Sequence, residues 1–494
     1  MLRIGSGPLT IEQLLAAARG ELPVALEGDA KFRERLEAGR RALDAALAGG
    51  RPVYGVTTGV GASVGTEVPA AERHEMALNL LRFHGCGTGR TLDEEAAAAV
   101  VVARLVSLAR GYSAVRPALL ERLCALLERR ILPCIPEEGS VGASGDLTPL
   151  SYLAALVVGE REALVGGRVL PAAEALAAAG LAPLVLEPKE SLALMNGTSV
   201  MTALACLVFE RASRVARLAA AVTALASHAV AGNAAHFAPE IFELKPHRGT
   251  RRAAAWIRDD LAGAAPREPA RLQDRYSLRC APHVIGVLLD ALDFAREWLE
   301  IEINGVDDNP IVDPESGAVH HGGNFYGGHV AFVMDGLKAA VASVADLLDR
   351  QLQLLCAPET NGGLPANLVR GVAHHGFKAM QIGASALAAE ALKLTLPAAS
   401  FSRSTESHNQ DKVSMGTLAA RDGLRVVELT ETVAAFGLLA ACQGTELRAA
   451  PPPRLAALLA AVRAEVPAVS ADRRQDLDVA RVLALHRTRA LPHG

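Results

Sequence analysis

Residues 333–355 read VMDGLKAAVASVADLLDRQLQLL. The apolar positions Val333, Leu337, Val341, Val344, Leu348, Leu352 and Leu355 recur at steps of three and four residues. That period places them on one stripe of an α-helix about six turns long. The same reading predicts long helices over about 198–231, 282–303 and 409–443, with shorter ones over 30–48, 70–84, 92–110 and 115–130. Alternating β patterns are scarce. One hairpin is expected from Glu162 to Leu170, turned by Gly166-Gly167. The fold class expected is mostly α: a bundle of long helices with polar, Gly-rich loops between them.

Around that frame, composition narrows the function. The chain has 494 residues, half of them apolar, enough to bury a core without staples. Lys and Arg number 50 against 54 Asp and Glu, so no basic excess points to nucleic acid. Seven scattered cysteines with no CxxC pair argue against a disulfide framework and against a four-cysteine zinc site. The N-terminus has no signal-peptide core, and no run of 18 uncharged apolar residues could span a membrane. A soluble, cytoplasmic protein is expected, organised as an N-terminal helical and loop region (1–195), a central long-helix bundle (196–445) and a C-terminal segment (446–494). The adjacent pairs His320-His321 and His374-His375 lack an HxxxH-plus-carboxylate pattern, so no metal is assigned.

The loops carry the chemistry. Gly139 to Leu150 reads GSVGASGDLTPL. Structurally this is a helix N-terminus, with Asp146 as the cap and Pro149 in the first turn. Chemically, Ala143-Ser144-Gly145 can cyclise. The Gly145 amide nitrogen attacks the Ala143 carbonyl carbon and two waters leave, one of them carrying off the Ser144 hydroxyl. Glycine lets the chain pinch, serine supplies the leaving hydroxyl, and alanine is small enough not to block the ring. A second loop, YGVTTGVG from Tyr54, has three glycines but no following GK[ST], so it is no phosphate cradle. Gln273, Tyr276 and Arg279 sit at i, i+3 and i+6, which would share a side of a helix but says little in a loop.

Five motifs in order make the chain similar to the aromatic amino acid ammonia-lyase family, the histidine, phenylalanine and tyrosine lyases with the related aminomutases. They are YGVTTGVG from Tyr54, GASGDLTPLS from Gly142, ALMNGT from Ala193, QDRYSLRC from Gln273 and HNQDKVSMG from His408. NGVDDNP from Asn304 and GGNFYG from Gly322 add to the likeness, which runs from about residue 10 to the Asp472-Arg473 region. The resemblance implies a helical bundle of the fumarase/aspartase type and a homotetramer whose sites combine loops from several subunits. It also implies a 4-methylidene-imidazol-5-one made from Ala143, Ser144 and Gly145, with no external cofactor.

The resemblance further assigns roles. Tyr54 is the base that removes the substrate's β-proton. An ordinary tyrosine, with a pKa of about 10, is phenolate in only about one molecule in a thousand at neutral pH. The site is therefore expected to lower that pKa or to align the proton well enough to compensate. By the same likeness Tyr276 helps proton transfer near the modified ring, within the motif opened by Gln273. Arg279 forks onto the substrate carboxylate, which a lysine cannot do. Asn196 hydrogen-bonds the polar end of the substrate or the ring carbonyl, and Phe325 stacks beside the modified ring.

Specificity is read from LRFHGCG at Leu81 to Gly87. Phenylalanine lyases resemble it with Phe then Leu at the Phe83-His84 pair, tyrosine lyases with His then Leu, and histidine lyases with Ser then His. Phe then His matches none of them. At Gln410 histidine lyases carry Glu, whereas phenylalanine and tyrosine lyases carry Gln, and Glu406 also matches the phenylalanine-lyase pattern. Since Gln cannot pair with an imidazolium, tyrosine is expected first, through His84 and the para-hydroxyl, then phenylalanine, with histidine below them. An aromatic 2,3-aminomutase would use the same residues. A fumarase/aspartase-type enzyme would need a GSSxMPxKxN loop, which is absent. A non-catalytic scaffold would leave Ala143-Ser144-Gly145 uncyclised.

Overall fold

The computed structural model describes residues 1–5, 7–265 and 268–492. The apolar stripe lies in the helix Gly328–Cys356, and all seven of its residues are buried. The other long helices run Ser199–Ala229, Ala281–Asn304 and Gly416–Arg448. The last begins at Gly416 rather than near 409. Glu406, Ser407, His408 and Met415 all take left-handed backbone, with φ of +50°, +54°, +60° and +60°, which no continuing helix can hold. The shorter helices are Ala30–Ala48, Arg73–Phe83, Glu94–Ala109 and Pro117–Glu128. The expected hairpin pairs Glu162–Val165 with Arg168–Pro171. No helix among the described residues is long and apolar enough to cross a membrane.

The chain divides into two compact units. The first comprises Met1–Val208, Arg296–Asp335 and Pro397–Arg421. Its centre is the helix Glu94–Ala109, whose N-terminus is capped by Asp93, the carboxylate accepting from the Ala96 amide at 2.8 Å. Every residue from Ala96 to Ala109 is buried, Arg104 included. A helix apolar on all sides has to sit in a core. The helices Ile11–Ala18 and Pro117–Glu128 pack on it, the alanines permitting close approach. Five segments of this unit reach toward one cavity: the loop after Tyr54, the C-terminus of Arg73–Phe83, the loop 139–146, the Asn196-Gly197 turn and the loop 402–415.

The second unit comprises Phe209–Ala295, Gly336–Leu396 and Asp422–Gly494. Polar ties are built into its helix packing. Gln351 Nε2 donates to Thr223 Oγ1 at 2.8 Å and to the Ser277 carbonyl at 2.9 Å. Arg211 grips the buried Glu431 through two nitrogens, at 2.9 and 2.8 Å.

Candidate active site

The loop 139–146 is held in a pinched shape by groups far away in sequence. Ser144 and Gly145 both have positive φ, +49° and +75°. A Cβ added to Gly145 would lie 2.0 Å from the Gly197 carbonyl oxygen, so only glycine fits. The Asp146 amide donates to that same Gly197 oxygen at 2.7 Å. Asp146 stands at the start of the helix Leu147–Val157, but its side chain does not cap it. Its buried carboxylate instead accepts from the amides of Val200 and Met201, 3.0 and 2.9 Å, at the N-terminus of the helix Ser199–Ala229. Thr417 and Ser140 donate their hydroxyls to its other oxygen. Burial pushes the Asp146 carboxyl up to about 6 despite these donors.

Behind the loop lies a buried ionic cluster. Arg104, fully buried, donates to the Asn196 carbonyl at 2.9 Å and to Asp307 at 2.5 Å. Asp307 also accepts from the Thr198 amide at 2.7 Å. Lys189 pairs with Asp308, both fully buried. Glu302 accepts from the Thr198 hydroxyl at 3.0 Å, and burial raises its carboxyl to about 7. These residues fix the Asn196-Gly197 turn. NGVDDNP supplies Asp307 and Asp308 to this cluster, and the signal for it in the sequence is Arg104, a lone charge in an apolar helix that must find a buried partner.

Tyr54, Ser144, Asn196, Phe83, His84, Glu406 and Gln410 line one cavity of about 410 Å³, with Leu80, Met76 and Leu192 as apolar wall. Asn196 Nδ2 donates to the Ser144 carbonyl at 3.1 Å, and its Oδ1 is buried without a partner. Thr405 donates its hydroxyl to Gln410 Oε1 at 3.0 Å, which turns the Gln410 amino group toward Ser144 Oγ at 3.5 Å. Glu406 accepts from the Ala62 amide at 2.9 Å and packs on Gly61, where a Cβ would come within 2.6 Å of its carboxylate. His84 Nδ1 donates to the Leu80 carbonyl at 2.9 Å. A carbonyl only accepts, so the proton sits on Nδ1 and Nε2 keeps a lone pair. Burial, with the charge of Arg161, holds the His84 imidazole below its usual pKa and therefore neutral.

Tyr54 corrects one expectation. Its phenol is pushed above the ordinary tyrosine value, first by burial and also by the Glu406 charge. The Gly61 amide donates to its oxygen at 2.8 Å and opposes that rise without cancelling it. Of the two routes expected for this residue, the direction of this shift favours alignment.

The remaining candidates are not among the residues that line this cavity. Phe325 is half-buried, and neither it nor Gln273, Tyr276 or Arg279 lines the cavity. The last three belong to the second unit. Tyr276 and Arg279 form one helical turn in which the Arg279 guanidinium lies 4.7 Å from the Tyr276 ring centre. Arg279 Nε donates to the Asp274 carbonyl at 3.0 Å, and Tyr276 is 72% exposed. Among the described residues no group of three or more His, Cys, Asp or Glu is arranged to hold a metal ion. His321 Nε2 instead accepts from the Tyr54 amide at 3.3 Å.

The sequence model of the family described as aromatic amino acid lyase matches residues 9–467. This chain belongs to the aromatic amino acid lyase family. Membership makes it an enzyme of the carbon–nitrogen lyase class. It is 40% identical over 484 residues to the histidine ammonia-lyase of Gloeobacter violaceus, covering 97% of this chain and 94% of that one. The crystal structure of tyrosine aminomutase from Streptomyces globisporus superposes with a TM-score of 0.94 at 35% identity, over 99% of this chain and 97% of the other. Histidine ammonia-lyase from Trypanosoma cruzi gives 0.91 at 32% identity, over 99% and 94%. The helical architecture expected from the apolar period is the lyase-family fold.

Proposed function

We propose that this lyase removes ammonia from an aromatic L-amino acid, tyrosine ahead of phenylalanine, and releases the arylacrylate, coumarate in the case of tyrosine. The observation that carries the reading is the pinched Ser144 loop facing a cavity with Tyr54 and the unpartnered Asn196 Oδ1. Ala143, Ser144 and Gly145 fit a self-made 4-methylidene-imidazol-5-one: Gly145 has no room for a Cβ, and Asn196 and Gln410 already direct amino groups at Ser144. That group supplies an electrophilic methylidene carbon, and no external cofactor is needed.

The chain's own side chains do the rest. Asn196 Oδ1 accepts from the substrate ammonium. Tyr54 takes the β-proton at its phenolic oxygen, passing from phenolate to phenol, and the Gly61 N–H that donates to this oxygen favours the phenolate that acts as the base. Phe83 and His84 face the ring end of the substrate. His84 Nε2 offers a lone pair that a para-hydroxyl can satisfy. Gln273, Tyr276 and Arg279 complete a neighbouring copy's site in a homotetramer, with Arg279 on the carboxylate and Tyr276 near the modified ring. The exposure of Tyr276 in the single chain supports this arrangement. Phe325 stacks beside the modified ring. Seven unpaired cysteines suit a reducing, cytoplasmic setting.

One observation favours a second reading, histidine as substrate. The relative quoted at 40% identity is named a histidine ammonia-lyase, and a neutral His84 Nε2 can accept from an imidazole N–H as readily as from a phenol. Gln410, which brings no charge, speaks against it. The deciding experiment measures kcat/KM for tyrosine, phenylalanine and histidine in the wild type and in His84→Leu. The tyrosine/phenylalanine ratio is expected to fall at least about tenfold in the variant, through loss on tyrosine. Histidine turning over fastest would replace tyrosine in this account, and an unchanged ratio would remove His84 from it.

A further inference from the structure

Phe83 and His84 stand at the C-terminal end of the helix Arg73–Phe83, where the last carbonyls have no partner within the helix. The partner comes from Arg161, which follows the helix Leu147–Val157. Arg161 Nη2 donates to the carbonyl of Leu81 at 2.5 Å and to that of Arg82 at 3.2 Å. Nη1 donates to Ser151 Oγ at 3.0 Å. The guanidinium lies 4.5 Å from the centre of the Tyr152 ring, and the Tyr152 hydroxyl accepts from the Gly87 amide at 3.1 Å. Next to it, Glu160 grips Arg82 at 3.1 Å. Residues on both sides of the Phe83-His84 pair are therefore tied to one short segment.

Gly85 shows how closely that segment passes. A Cβ there would lie 2.0 Å from Arg161 Nη2. A cation at a helix C-terminus is favourable in itself, and only a planar guanidinium can reach two carbonyls and a hydroxyl while lying on a ring. The direction of the His84 lone pair depends on this anchoring, since the ring's own contacts, the Leu80 carbonyl and the Phe83 ring 4.1 Å away, belong to the same turn.

We infer that Arg161 is a positioning residue for substrate selection: it fixes the Phe83-His84 turn so that His84 Nε2 meets the distal end of the substrate ring. The inference rests on the reading of His84 given above. It predicts that losing Arg161 lowers discrimination between rings with and without a distal donor while sparing the elimination itself.

The test uses the full-length enzyme with Arg161→Gln, Arg161→Lys and Gly85→Ala. Amide exchange over residues 81–87 is followed together with kcat/KM for tyrosine and phenylalanine. Arg161→Gln is expected to speed exchange and to cut kcat/KM for tyrosine about tenfold, with phenylalanine within about twofold of wild type. Arg161→Lys keeps the charge but not the fork, and should behave like Arg161→Gln. Gly85→Ala should reproduce the pattern with Arg161 still present. Unchanged exchange would overturn the inference, and so would a parallel loss on both substrates, the mark of a merely structural role. A wild type that does not distinguish the two substrates would overturn the His84 reading and the selection role with it. Failure in the variants alone strikes only Arg161.

Discussion

Asn196 holds the Ser144 carbonyl through Nδ2 at 3.1 Å and keeps its own Oδ1 buried and unpartnered. A buried oxygen without a donor costs about 1–3 kcal/mol, and in the proposed function the substrate ammonium supplies that donor. Its backbone is pinned from behind by Arg104, which leaves the side chain little freedom. Asn196→Ala should keep the fold and lower kcat by roughly 10²- to 10³-fold, as for other preorganised polar contacts in active sites. Near-normal kcat in that variant would mean Asn196 only shapes the turn.

Ser144→Ala removes the hydroxyl that must leave for the loop to cyclise. Turnover should vanish while the circular dichroism spectrum and thermal midpoint stay near wild type. The mass of the wild-type loop peptide should be lighter than its sequence by two waters, and that of the variant should not. A wild-type peptide of full mass would exclude the self-made electrophile.

Tyr54→Phe should still bind substrate but lose roughly 10²- to 10⁴-fold in kcat, the usual worth of a positioned acid–base group. Because burial raises the Tyr54 phenol, activity should keep climbing through the alkaline range until another group fails. A kcat within about twofold of wild type would place the base elsewhere.

Glu302 gives a stability prediction with a definite sign. Its carboxyl is raised from 4.5 to about 7, so between those values the folded chain binds more protons than the unfolded one. Stability contributed by this group therefore falls as pH rises through that window. Glu302→Gln keeps an acceptor for the Thr198 hydroxyl and abolishes the loss. It should be more stable than wild type by on the order of 2 kcal/mol at pH 8, and equal to it near pH 4. A variant less stable at pH 8 would show that the ionised carboxylate is needed.

The helices were legible because burial imposes a period: every residue of the stripe from Val333 to Leu355 is buried, and the Glu162–Leu170 hairpin forms around its two glycines. The loop around Ser144 was legible because its chemistry demands particular residue types in sequence. What could not be read is long-range pairing. Arg104 meets Asp307 across 203 positions, and no local pattern encodes that choice of partner. Asp146 occupies a cap position in sequence yet satisfies the amides of a different helix, since two buried N–H groups at Val200 and Met201 compete for it. The direction of the Tyr54 shift was not legible for the same reason. The sign of its shift depends on how much burial surrounds the ring and on Glu406, 352 positions away by number.

The most direct test of the central claim measures what leaves the enzyme. Purified protein is incubated with its preferred aromatic amino acid, and ammonia and arylacrylate are quantified together. The account predicts that both accumulate in equal amounts, with no β-amino acid. A β-amino acid formed without net release of ammonia would make the chain an aminomutase, and the absence of both products from tyrosine, phenylalanine and histidine would contradict the account outright.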